Sequence, residues 1–214
     1  MMKRSWKRTI LLLVFLVGVC IHGCASLDNS IPFTHAVVPH NEQPSLLVLG
    51  LDTLVDSRPE GDKKATEKIS NIEELITTRL AEDLRSSRLF TSIDFPSDKE
   101  QDTLIMKGEI KRFYWKMKPS LLAYAPEAAV ILLFGIPAGY IIGTVELHVA
   151  MVNPRTGETL TEYDKTSTKK ASRSLYKLSS SEKGAEVAEA FQDVSQQILE
   201  AVANDIKEGR FALK

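Results

Sequence analysis

Thr144-Val145-Glu146-Leu147-His148-Val149-Ala150-Met151-Val152 decides the fold class. Successive side chains of an extended chain point to opposite faces. Val145, Leu147, Val149 and Met151 therefore share one face, and Glu146 and His148 share the other. The segment reads as a strand with one face in a core, and His148 as an exposed residue on its polar face. Asn153-Pro154-Arg155-Thr156-Gly157 follows, a turn whose glycine can take the positive φ that side chains resist. Glu158 to about Lys169 then returns as the antiparallel partner.

Upstream, Leu104 to Trp115 is a second long strand, with Leu104, Met106 and Ile110 on one face and Lys107, Glu109 and Lys111 on the other. Leu89 to Phe95 is a short strand ending at Pro96. Ser45 to Leu51, bounded by Pro44 and Asp52, is apolar without alternation and predicts a strand buried on both faces. Asp56 to Ala65 reads as a charged turn region containing Pro59 and Gly61. Ile69, Ile72, Ile76, Leu80 and Leu84 recur at three- and four-residue spacings and predict an amphipathic helix over about 66–86. Val187, Phe191, Val194, Ile198, Val202 and Ile206 predict a second over about 182–208, stopped by Gly209. A helix with one apolar stripe must cover something, and here the partner is the sheet. The expected fold is an α+β two-layer sandwich. It has a mainly antiparallel sheet of about five strands, two amphipathic helices and an apolar insert between strands three and four.

That insert, residues 119–143, reads PSLLAYAPEAAVILLFGIPAGYIIG and carries one charge, Glu127. Val130, Ile131, Leu132, Leu133, Phe134, Ile136, Tyr140, Ile141 and Ile142 form its apolar body. Each large apolar side chain is worth ~1.5–3 kcal/mol when buried, so something covers this stretch. A spanning helix is disfavoured, because Pro126 and Glu127 look like a helix start and Gly135 and Pro137 end it. Such a helix spans roughly 13 Å, against a hydrocarbon core of ~30 Å. A pore-lining hairpin needs alternating polarity, which Ala128 to Phe134 lacks. The covers left are the domain's own core, a bilayer surface or a partner protein, and in the last two these residues are the contact set. Lys165, Lys169, Lys170, Arg173 and Lys177 form a basic stretch. It fits a solvated strand end and loop, or contact with anionic headgroups.

At the amino terminus Lys3, Arg4, Lys7 and Arg8 precede an uncharged run from Ile10 to Ile21. A basic start, a short apolar core and a small residue near the end describe a secretory signal peptide, too short to span as an anchor. Ile21-His22-Gly23-Cys24 resembles the lipobox of bacterial lipoproteins. The resemblance implies cleavage between Gly23 and Cys24, acylation of the Cys24 thiol and a membrane anchor of several acyl chains. Ala25 stands where inner-membrane lipoproteins carry Asp, which implies a periplasm-facing outer-membrane address, with the inner membrane left open. Residues 1–23 are then a signal peptide, 24–45 the lipidated Cys and a polar tether holding His35 and His40, and 46–214 one domain. Losing the leader removes four cations and no anion, taking the formal charge from −1 to −5. Cys20 leaves too, so Cys24 is the sole remaining cysteine and no internal disulfide can form.

The order of elements, the Asn153-to-Gly157 hairpin and the late amphipathic helix resemble small periplasmic lipoprotein domains, typified by the curli secretion lipoprotein and the TolB amino-terminal domain. The resemblance implies a binding or assembly role in envelope transport or secretion, through another envelope protein or further copies of itself. An oligomeric secretion-channel component is the alternative. A net charge of −1 over 214 residues speaks against nucleic-acid binding by bulk positive charge. No GxSxG, HExxH, phosphate-cradling or dinucleotide motif is present, so no catalytic residue, cofactor or metal site is assigned. Dispersed carboxylates leave a hydrolytic enzyme as the less favoured reading.

Overall fold

In the computed structural model, residues 31–36, 45–67, 69–98, 100–120, 139–173 and 184–211 are described. The alternating segment forms β5 (Gly139–Val152), flanked by antiparallel β4 (Leu104–Pro119) and β6 (Thr159–Arg173). Val145, Leu147, Val149 and Met151 have no solvent exposure. The turn closes as its residue types require. Asn153 Oδ1 accepts from the amides of Arg155 and Thr156, the Gly157 amide donates to Asn153 O at 2.9 Å, and Gly157 sits at φ 73°.

β4 departs from simple alternation. Ile110 pairs with Leu147 and Arg112 with Glu146, so Lys111 is an extra residue, a bulge. The bulge shifts the inward set from Leu104, Met106 and Ile110 to Phe113 and Trp115. Phe113 is fully buried, and Trp115 packs against the core.

The other strands are short: β1 (Val48–Leu51), β2 (Val55–Asp56) and β3 (Ser92–Asp94). The sheet order is β3-β1-β4-β5-β6, with β2 also against β4. Here the expectation of a mainly antiparallel sheet is corrected, since β1 runs parallel to β3 and β4, and β2 parallel to β4. The sheet is mixed and, among the described residues, has six strands. Between β1 and β3 the chain crosses through α2 (Ile72–Ser87), as a parallel pair requires. From β3 to β4 it crosses β1 at Gly50, where a Cβ would overlap the Asp102 and Ser97 side chains. Strands this short carry no alternation that could reveal their direction.

Among the described residues there are three helices where two were expected. The additional one, α1 (Glu60–Ala65), follows Pro59 within the segment read as a turn, with acids in its first turn and lysines in its last. Beside it the buried Arg58 guanidinium holds both Asp56 carboxylate oxygens at 2.8 and 2.9 Å, and Thr66 Oγ1 at 2.6 Å. The Arg58 hydrogen bond holds the Asp56 carboxyl below its ordinary pKa. α2 and α3 (Ala185–Lys207) lie on the core face of the sheet. Ile72, Ile76, Leu80 and Leu84 of α2, and Val187, Phe191, Val194, Ile198 and Val202 of α3, are buried as their spacing predicts. Ile69 precedes α2 and packs against the same core, and Gly209 at φ 71° follows α3. No helix among the described residues is long and apolar enough to cross a membrane.

Candidate functional site

The β4–β5 hairpin outruns the helices. At Gly143 a Cβ would overlap the backbone of Glu186 and Val187, so the start of α3 lies directly on the sheet there. Four further pairs, Lys116↔Ile142 through Pro119↔Gly139, continue beyond that level, with Lys170–Arg173 alongside on β6. At ~3.4 Å per residue this overhang reaches roughly 10 Å past the helix start. Residues 120–138 connect Pro119 to Gly139, the last pair of the overhang.

The overhang has two faces. On the helix side stand Met117, with 48% exposure, and Ile141. The opposite face carries Lys116, Lys118 and Lys170, all exposed, around Tyr114, Tyr140 and Ile142. Lys170 Nζ stands 4.0 Å from the Tyr140 ring centre, and Arg112 and Lys116 lie over Tyr114 at 4.7 and 5.2 Å. Residues 115–120, 139–143 and 169–173 hold Lys116, Lys118, Lys169, Lys170 and Arg173 but no Asp or Glu. Of the contact residues expected from sequence, Tyr140, Ile141 and Ile142 are half-buried members of β5. Gly23, Cys24, Val130 to Phe134 and Ile136 lie outside the described residues.

Part of the segment read as a tether is docked. Ile31 packs beside Gly184, its Cγ1 3.6 Å from where a Cβ would stand. Phe33 meets Phe191 edge-on at 5.3 Å and Phe113 at 6.5 Å. Thr34 donates to Gln192 at 2.8 Å, and the Ala36 amide to Asp83 at 3.2 Å. These residues therefore run along α3 from its amino-terminal end. Ile31 itself stands at the end of the domain that bears the overhang. Composition hid this strap, and Ile31 and Phe33 within a polar stretch were the signal for it.

Asp83, Ser195 and His35 bring a serine, a histidine and an aspartate together, and their order settles the chemistry. Ser195 Oγ donates to Asp83 Oδ2 at 2.6 Å, and His35 Nδ1 stands 3.3 Å from Oδ1. The carboxylate lies between the other two, so the imidazole is not placed to take the serine proton. Ser195 is also fully buried. The group is a brace tying α2, α3 and the strap. Among the described residues no group of three or more His, Cys, Asp or Glu is arranged to hold a metal ion.

Acids gather at the opposite pole. Asp94 ends β3, Asp98, Glu100 and Asp102 precede β4, Glu158 and Glu162 flank the start of β6, and Asp205 and Glu208 lie at the end of α3. There Tyr163 donates to Asp205 at 2.5 Å, and burial followed by this bond pushes the phenol's pKa up. Burial also raises the Asp102 carboxyl, with Asp94 and Asp98 adding repulsion, although the Asp98 amide donates to its Oδ2. Oδ1 finds no hydrogen-bond partner. A carboxyl whose pKa rises on folding opposes folding at neutral pH and is relieved as pH falls through the raised value. Asp102→Asn is therefore expected to raise the thermal midpoint by up to a few degrees at pH 7. The gain should shrink toward zero as pH falls to the ordinary Asp range near 4. Thermal scans of both proteins across pH check this, and a gain independent of pH would contradict it.

No family model matches the chain, and no curated protein matches it. Among solved structures it is similar to a DUF330-family protein of Xanthomonas campestris, at 14% identity over 83% of this chain and 94% of that one, with a TM-score of 0.48. It is similar to a neuraminyllactose-binding hemagglutinin homolog of Helicobacter pylori, at 10% identity over 88% and 100%, with a TM-score of 0.45. It is also similar to a minor lipoprotein of Acinetobacter baumannii, at 10% identity over 77% and 96%, with a TM-score of 0.44.

Proposed function

We propose that this chain is a lipid-anchored, non-catalytic interaction module of the bacterial envelope, held by acylated Cys24 at the periplasmic face of the outer membrane. Its working surface is the end of the β4–β5 hairpin together with residues 121–138. The observation that carries this reading is the course of Ile31–Ala36 along α3, which puts Ile31 at the base of the overhang. Cys24 lies seven residues before Ile31, a reach of at most about 25 Å. An anchor there and the apolar insert can meet one membrane, or a partner seated on it.

The test is replacement of residues 121–138 by a short Gly/Ser loop. Pro119 and Gly139 are already paired, so the shorter closure costs little and the sheet retains its register. The variant is expected to keep the parent's thermal midpoint within a few degrees. It should also lose the parent's crosslinks from position 117 to lipid or envelope protein. A variant that fails to fold would show the insert to be core, and one that folds and crosslinks as the parent does would place the contact elsewhere.

A further inference from the structure

We infer that the outer face of the overhang, formed by Lys116, Lys118 and Lys170 around Tyr114, Tyr140 and Ile142, binds the phosphate headgroups of an anionic bilayer. The inference rests on the anchored reading above and adds the chemistry of what the tip meets. Three observations converge on it. First, charge is segregated along the sheet: the overhang holds cations alone, whereas Asp94, Asp98, Asp102, Glu158 and Glu162 crowd the other end. A chain of net negative charge whose sheet carries only cations at one end presents that end to an anionic surface and turns the other away. Second, the lysines are exposed while the rings beneath them are half-buried or buried. Amphipathic rings beside ammonium groups are the composition that settles at headgroup depth, between water and acyl chains. Third, the strap begins at this same end with Ile31, seven residues after Cys24 in sequence, so an anchor would hold the face within reach of headgroups.

Each lysine near an anionic leaflet strengthens attachment about fivefold at ordinary ionic strength. Neutralising three should lower the ratio of docked to undocked tips on the order of a hundredfold. The experiment uses the full chain as its host processes it, reconstituted in phosphatidylcholine vesicles with or without one-quarter phosphatidylglycerol. Met117→Cys carries a fluorophore, and headgroup-labelled lipid serves as quencher. The expected result is strong quenching on the anionic vesicles, weak quenching on the neutral ones, and loss of the difference in Lys116→Gln/Lys118→Gln/Lys170→Gln. Raising salt from roughly 0.1 to 1 M shortens the screening length from about 10 to 3 Å and should remove the same difference without any substitution. Equal quenching on both vesicles, insensitive to salt and to the substitutions, would overturn the inference while leaving an apolar contact by the insert standing. Quenching on neither would overturn the inference and point to a protein partner. If Cys24 also takes the label, its thiol is not acylated, and the anchored reading fails separately.

Discussion

Phe191→Ala is expected to cost about 3–5 kcal/mol, the usual range for removing a fully buried aromatic side chain. Phe191 has no exposure, lies in the apolar stripe of α3 one turn after Val187 and meets Phe33 edge-on at 5.3 Å. Its loss leaves a cavity between α3 and the sheet and removes the surface on which the strap packs. At about 2–4 °C per kcal/mol for a domain of this size, the thermal midpoint should fall by roughly 6–20 °C. Denaturant and thermal unfolding measure it. A loss under about 1 kcal/mol would mean that Phe191 is not where the core places it. Residues 31–36 should also become readily cleaved by protease in the variant, since their main apolar contact is gone.

Gly143→Val opposes two principles, and the outcome distinguishes them. By strand propensity valine is far better than glycine inside β5, which predicts stabilisation. By packing, a Cβ at this position overlaps the backbone of Glu186 and Val187, and backbone cannot rotate aside as a flexible side chain can. The steric conflict should win by roughly 3 kcal/mol or more, displacing the start of α3 from the sheet. Stability from urea unfolding, with helix content by circular dichroism, reports both effects. A Gly143→Val protein as stable as the parent would show that α3 does not rest on β5 there.

The long elements were legible because their periodicity runs over many residues. Val145 to Met151 and Val187 to Val202 each repeat their apolar spacing often enough to fix both element type and buried face. The α+β class follows from those two stretches alone. Val55–Asp56 and Ser92–Asp94 are too short to repeat anything, so the parallel half of the sheet could not be read. Alternation puts Lys111 on the polar face of β4, but it is the bulged residue, and the parity change it causes brings in Phe113. The overhang is half visible in sequence: the apolar run points to Tyr140 to Ile142 as contact residues, but nothing in it points to Lys116 and Lys118. Only the pairing of β4 with β5 brings those lysines beside Ile142 and Tyr140. The strap is not legible in composition, because tertiary contact orders Ile31–Ala36.

Lysine footprinting in the intact envelope tests most directly whether the overhang is the occupied end of this protein. A small acylating reagent is applied before and after detergent solubilisation, and modification at each position is read by mass spectrometry. Lys116, Lys118 and Lys170 at the overhang should be protected until detergent is added, whereas Lys107 at the start of β4 and Lys207 at the end of α3, also exposed, should react alike in both states. Protection of Lys107 and Lys207 with free reaction at Lys116, Lys118 and Lys170 would contradict the account.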